Sequence, residues 1–319
     1  MTASRWVRIV PVICAIVAAE FAYAQNFPTR PIRLVATSPG GGSDFAARLL
    51  APGLAAGLGQ QVIVDNRGGT GVPIDIVAKA PADGYTLLYY GGTLWLLPLM
   101  QEVSYDTLRD FMPVSLVVNS PGIFAAHPSL PVKSIKDLIA LAKAKPGSLN
   151  YASAGNGSPA HLATELFKSL AGIEMVRVPY KGAGPALTAL IAGEIQVSIT
   201  SSAGVSPHIR SGRIIALAVT SARRSASFPN VPTVSEGELP GYEYGQMSGV
   251  FAPARTPAPI VDRLSKEIVR VANRPDVKEK LFNAGADVEG STPQEAVATI
   301  KSEIARLGKV IREAKIRGD

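Results

Sequence analysis

Cysteine is almost absent from this chain: of 319 residues only Cys14 carries a thiol, and it falls in an N-terminal stretch read below as a leader. Past that stretch no disulfide and no thiol chemistry is expected. Histidine is nearly as scarce. The three present, His127, His161 and His208, lie apart, without ligand spacing and without an acidic cluster beside them, so no metal centre and no cofactor is expected. Aromatic residues make up 6% of the chain, and the excess of 32 Lys and Arg over 25 acids, a formal charge of +7, is dispersed rather than gathered into a block. A basic surface interleaved with aromatics is missing, so nucleic acid is not an expected partner. What remains is a mildly basic surface that favours the approach of small anions. No apolar run beyond the leader is long enough to span a bilayer.

The leader itself has three parts. Arg5 and Arg8 form a positive n-region, residues 9–19 are a short apolar run ended by Glu20, and Ala22-Tyr23-Ala24 supplies an A-x-A site. The run is too short for a membrane anchor, so residues 1–24 are expected to be a signal peptide cleaved after Ala24, with an exported chain starting at Gln25. The roughly 295 residues that follow exceed one ordinary core and predict two domains.

Strand-like and helix-like segments alternate from there. Strands are expected at 32–37, 61–64 and 85–90, with a helix from Ser43 whose apolar spacing is Phe45, Leu49, Leu50, Leu54 and Leu58, and a second helix over 71–80. This repeated βα pattern predicts a parallel sheet covered by helices. A strand at 114–118 leads into Ser120-Pro121-Gly122, a connector to a second domain. That domain is expected to hold a helix over 134–144, strands at 151–154, 175–178, 194–200 and 214–220, and helices from Ser158 and Pro185. Pro229, Pro232 and Pro240 mark a return crossing, and the segment from Pro257 is helical with Val261, Leu264, Ile268 and Val271 as its buried stripe.

Two segments share one grammar. "IRLVATSPGGGSDFAARLLAPGL" and "LNYASAGNGSPAHLATELFKSL" each run from a strand with small hydroxyl residues at its end through a glycine turn to a Ser at a helix start. In the second, Gly155, Gly157 and Ala160 match G-x-G-x-x-A, the fingerprint of a dinucleotide turn. That reading needs an acid at the end of the next strand to hold the ribose. Here the strand runs into Pro179-Tyr180-Lys181, and Glu174 stands at its wrong end. A P-loop and a G-x-S-x-G elbow are both missing. Ser43 and Ser158 do sit at strand-to-helix turns, and His161 lies one helical turn into the second, so an exported serine hydrolase stays open as an alternative. What the turns do supply is anion binding: unpaired N–H groups, about half a positive charge at each helix start, and glycines that let the backbone come close.

Over nearly all of the expected mature chain the sequence resembles the receptors of tripartite tricarboxylate transporters, the Bug family of periplasmic substrate-binding proteins. The likeness runs through "FPTRPIRLVATSPGGGSDFAARLLAP", "VIVDNRGGTG", "VAKAPADGYTLL", "YDTLRDFMPVSLV", "VPYKGAGPAL", "SPHIRSGRIIALAVTSARR" and "PNVPTVSE". It implies a type II periplasmic binding protein fold: two α/β lobes, two crossing segments, and a cleft that closes on its ligand. It places lobe 1 at 25–121 and 231–319 and lobe 2 at 122–230. By the same likeness the ligand is gripped by Thr37, Ser38, Gly41, Gly42, Ser43 and Asp44 on one side. Ser153, Ala154, Asn156, Gly157, Ser158, His161, Tyr180, Gly182 and Thr200 lie on the other.

This chain departs from the family pattern at four places. Ala36-Thr37-Ser38-Pro39 replaces a usual P-F-P-P, Thr200 stands where an Asp is frequent, Met247 replaces a common Trp, and Arg255 a common Gly. The uncharged run Thr200-Ser201-Ser202 disfavours an amino-acid ligand. Trp95, after Gly91-Gly92-Thr93-Leu94, is placed by sequence either at the mouth or in the core. The implied role is non-enzymatic: capture of a small organic mono- or diacid, aromatic ones included, for delivery to membrane permease subunits by a monomeric receptor. A ligand-presenting partner of a membrane sensor kinase is the other alternative.

Overall fold

The computed structural model describes residues 27–317 apart from 38, 40, 41, 69, 70, 154–156, 181 and 182. The leader lies outside the described residues, as do Ser38, Gly41, Ala154, Asn156 and Gly182.

The first βα units form where the alternation puts them. β1 (Ile32–Ala36) pairs in parallel with β2 (Val62–Asn66) and β3 (Thr86–Gly91), and α1 (Gly42–Leu58) and α2 (Val72–Ala78) make the connections. Ile32, Leu34, Val35 and Ala36 are all buried, as a parallel strand covered on both faces requires. In α1 the buried stripe is Ala46, Ala47, Leu50, Leu54 and Leu58; Phe45, expected in the stripe, is 43% exposed. A short α3 (Thr93–Leu96) follows β3, and α4 (Thr107–Asp110) is capped by the Asp106 carboxylate, which accepts the Leu108 and Arg109 N–H groups.

β4 (Phe111–Ala126) carries the chain from one half of the molecule to the other in 16 unbroken residues. Periodicity alone ends this strand at Val118 and makes 120–122 a connector. The structure corrects that: residues 111–121 pair antiparallel with β9 (Gly245–Pro253), and residues 122–126 pair with β7 (Val197–Ser201). Pro121 is tolerated because it ends the β9 ladder, where one partner gives way to the next.

The second half repeats the βα pattern. α5 (Ile135–Ala144) is capped by Ser134, β5 (Asn150–Ser153) leads to α6 (Pro159–Ala171), and β6 (Val176–Pro179) to α7 (Ala183–Ala192). α7 begins two residues before Pro185, so that proline sits in a first turn, where its missing N–H costs nothing. β7 runs into α8 (Ser202–Arg210), and β8 (Ile215–Val219) lies antiparallel against the end of β4. β5 is parallel to both β6 and β7.

The C-terminal segment returns to the first half. α9 (Ala258–Ala272) buries Val261, Leu264, Ile268 and Val271 as its spacing predicts. α10 (Pro275–Asn283) and the two-residue strand β10 (Asp287–Val288), paired with β4, precede α11 (Pro293–Glu313). α11 starts with a capping box in which Thr292 and Glu295 satisfy each other's backbone N–H. It packs against β4, α3 and α6, and so touches both halves. The whole sheet has the order β2-β1-β3-β9-β4-β7-β5-β6, with β8 and β10 attached to β4.

Where the two crossing segments meet, one buried hydroxyl joins them. Thr220 Oγ1 accepts the Gly122 N–H at 2.8 Å and donates to the Tyr244 carbonyl at 2.7 Å. Backbone bonds from Thr220 N to Gly122 O and from Tyr244 N to Thr220 O complete the junction.

Candidate functional site

A cavity of about 580 Å³ is lined by residues of both halves. Gly42 and Ser43 at the start of α1 face it from the first half, with Gly91, Gly92 and Thr93 from the turn before α3. Gly157 and Pro159 at the start of α6, and Ser201 at the start of α8, face it from the second. Three helices of more than two turns therefore present their N-terminal ends to one space, each with partial positive charge and backbone donors. Phe45, Leu96, Leu162, Met247 and Leu281 form its apolar walls. Among the described lining residues there is no Lys or Arg, and Glu303 of α11 is the only acid. The space suits a small ligand with a polar group held by uncharged donors and an apolar body against these walls.

Of the residues named from sequence, Gly42, Ser43 and Gly157 line this cavity, and Thr200 lines a smaller pocket beside it that shares Pro159, Ser201 and Gln246. Among the other described ones, several are held by hydrogen bonds around the cavity. Asp44 is buried, and its Oδ1 accepts from Arg48 Nε at 2.7 Å and from Asn66 Nδ2 at 2.8 Å. The same Asn66 amide donates to the Thr37 carbonyl at 2.7 Å, so Asp44 and the Thr37 backbone are tied to the strand beside them. Ser153 is fully buried at the end of β5, and its carbonyl accepts the Tyr180 N–H at 2.8 Å. Ser158 caps α6, its Oγ accepting the His161 N–H at 3.4 Å. His161 is buried, and its Nδ1 accepts the Gly157 N–H at 3.1 Å.

Sequence reading missed several contributors. Ser201 caps α8 by accepting the Gly204 N–H at 3.4 Å, as Ser158 caps α6, and its signal is the run Thr200-Ser201-Ser202 after an apolar strand. Phe45 follows helical spacing but turns to the cavity instead of the core. The start of β9 (Gly245, Gln246, Met247 and Ser248) and the loop after α10 (Ala284 and Ala286) arrive from distant parts of the chain with no local signal. Trp95 lies in the core at 1% exposure, directly behind Gly92: a Cβ on that glycine would stand 3.5 Å from its Cζ2. Glu303 is buried, and burial holds its carboxyl above the usual carboxylate range, opposed by Arg306 and the Trp95 indole. Arg306 Nη2 donates to Glu303 Oε1 at 2.7 Å and Nη1 to the Glu243 carbonyl, bracing the crossing segment from α11. Burial and the nearby Glu303 carboxyl push the phenol of Tyr244, another lining residue, well above its ordinary value and keep it neutral.

The model of the tripartite tricarboxylate transporter family receptor matches residues 46–316. The chain belongs to that family. The receptor is 39% identical over 296 residues to protein BugT of Bordetella pertussis, covering 91% of each chain. Among solved structures it is similar to R. palustris Rpa4515 with adipate, at 36% identity and a TM-score of 0.80, covering 92% of this chain and 100% of that one. It is also similar to MatC from Rhodopseudomonas palustris with bound malate, at 32% identity and a TM-score of 0.75, covering 89% and 100%. The receptor's fold is accordingly the two-lobed α/β fold of the periplasmic binding proteins, with the cavity in the cleft. Among the described residues no helix is long and apolar enough to cross a membrane.

Proposed function

We infer that this receptor binds a small organic carboxylate in the cleft, exported to the periplasm behind a signal peptide cleaved after Ala24, and passes it to the membrane subunits of a tripartite transporter. The lobes are taken as 25–121 with 231–319 and as 122–230, closing on the ligand about the Thr220 junction, and the receptor as a monomer. One observation carries the reading: three helix starts with glycine or hydroxyl residues converge on one cleft whose described lining offers no cationic side chain. A carboxylate is held there by backbone and hydroxyl donors, strongly enough to be captured and weakly enough to be released.

The ligands of Rpa4515 and MatC, adipate and malate, are both small dicarboxylates and supply the first probes for this chain. The hydrolase alternative finds little support. Ser158 Oγ is bound to a backbone N–H, and the His161 nitrogen nearest the turn already accepts from Gly157, so no imidazole stands ready as base to that serine.

A thermal-shift series with adipate, malate and adipamide tests the reading. A ligand that binds only the folded state at about 100 times its Kd stabilises by about 2.7 kcal/mol. At least one of the two dicarboxylates is expected to raise Tm by several degrees, and the uncharged diamide to leave it unchanged. Equal responses to adipate and its diamide, or none to either carboxylate, would remove the carboxylate reading.

A further inference from the structure

The helix start at α6 resembles a capping box with one residue changed. In that box an N-cap Ser or Thr is followed three residues later by Glu or Gln, whose side chain returns to the backbone N–H at the helix entrance. Here Ser158 is the cap, Pro159 follows it, and the residue three on is His161. The imidazole reaches one residue further back than a glutamate would, to the N–H of Gly157 at 3.1 Å. Gly157 lines the cleft and is held at φ +66°, the left-handed region. A Cβ at that position would stand 2.7 Å from Met100 Sδ, so a side chain there needs Met100 to move.

Two consequences follow for the cleft. The Gly157 N–H is consumed by the imidazole and is not one of the donors offered to a ligand, which leaves that role to the neighbouring backbone and hydroxyl groups. The turn also depends on a free lone pair at Nδ1. Nη1 of Arg177, on β6, approaches the same nitrogen at 3.4 Å. With two N–H donors directed at Nδ1, the hydrogen-bond network requires the neutral ring protonated at Nε2. Further along α6, Glu165 pairs with Lys168 and accepts from the Tyr151 hydroxyl of β5.

We propose that neutral His161 is a positioning residue for ligand capture: it touches no ligand, and it fixes the second-lobe glycine turn by accepting the Gly157 N–H. The proposal rests on the carboxylate reading for its consequence, and on the ligand-free turn for its geometry.

The experiment separates the two. Imidazole 15N shifts of the unmodified full chain at about pH 7.5 are expected to give an unprotonated Nδ1 and a protonated Nε2. His161→Asn puts a carbonyl oxygen close to the Nδ1 position and keeps an acceptor; His161→Leu keeps volume and removes it. Without ligand, the Gly157 amide is expected to exchange about as slowly in the Asn variant as in wild type and about tenfold faster in the Leu variant, the worth of one buried hydrogen bond. Adipate affinity is expected to fall about tenfold in the Leu variant and to stay within about twofold in the Asn variant. A protonated Nδ1, or unchanged Gly157 exchange in the Leu variant, overturns the proposal. The tautomer is read on wild type, so it decides the matter even where the Leu variant fails to fold. A wild type that ignores every carboxylate overturns the ligand reading, while the tautomer and exchange results still decide the role of His161.

Discussion

Glu303 illustrates how single residues in this receptor take their character from tertiary surroundings. One of three glutamates in the last helix, it reads in sequence as part of a charged outer face, and α11 does place most of its charges in solvent. The packing of α11 against α3 and α6 instead buries Glu303 at the cleft, next to Arg306 and Tyr244. Because burial raises its carboxyl, the folded state holds a proton that the unfolded chain has already released. Below the ordinary glutamate range both states are protonated and nothing is lost. As pH rises through the window from that range to the raised folded value, wild type loses stability. Glu303→Gln keeps an acceptor for Arg306 and removes the titration. Its Tm is expected to match wild type near pH 4, by the usual glutamate value of about 4.3, and to exceed it increasingly toward pH 7. A gap that stays constant over that range would contradict the burial argument.

Other residues were more open to sequence. Ser134, Ser158 and the Gly157 turn are legible because a cap or a left-handed turn is a local event with its own residue preference. Asp44 was legible as a first-turn acid but not as the partner of Arg48 and Asn66, which come together only when β1 and β2 pair. Phe45 defeats a stripe count because an apolar side chain at helical spacing fits a core and a cleft wall equally well.

At the scale of elements, the βα repeats and the stripe of α9 follow from periodicity, which marks the apolar face of an element whatever covers it; α9 packs on β4 and α1, both distant in sequence. β4 itself does not follow from periodicity. Its central Pro121-Gly122 is an ordinary turn signal, overridden because the strand changes partners there, from β9 to β7. Gly122 is required at that handover: a Cβ would lie 2.8 Å from Ile199 Cγ2 and 3.0 Å from Thr220 Oγ1. Gly122→Val should cost about 1–3 kcal/mol through overpacking, read as a lower urea midpoint, and loosen the Thr220 junction between the crossing segments. An unchanged midpoint would show that the junction has room to spare. The N-terminus of α8 belongs to this scale too. Its Ser201 repeats the cap of α6, and the repeat is hard to see in sequence because no glycine turn precedes it.

For the whole molecule, two α/β halves share one long strand and enclose a cleft whose donors come from helix starts far apart in the chain. The likeness of the full sequence to a known family made this architecture legible, where composition reached only two α/β domains. The cleft's apolar walls were not, because Phe45, Leu96, Leu162, Met247 and Leu281 are separated by long stretches of sequence. Such an arrangement predicts that ligand binding perturbs both halves at once.

The most direct test is a backbone-amide NMR titration of the 15N-labelled chain from Gln25 onward with adipate, or with malate where adipate does not bind. Saturable shifts are expected to be largest at the amides of Ser43, Ser158 and Ser201, from three separate helix starts on both sides of the cleft. Shifts confined to one half, or centred on the surface groove between α1 and β2 around Arg48 and Ile63, would contradict the cleft as the carboxylate site.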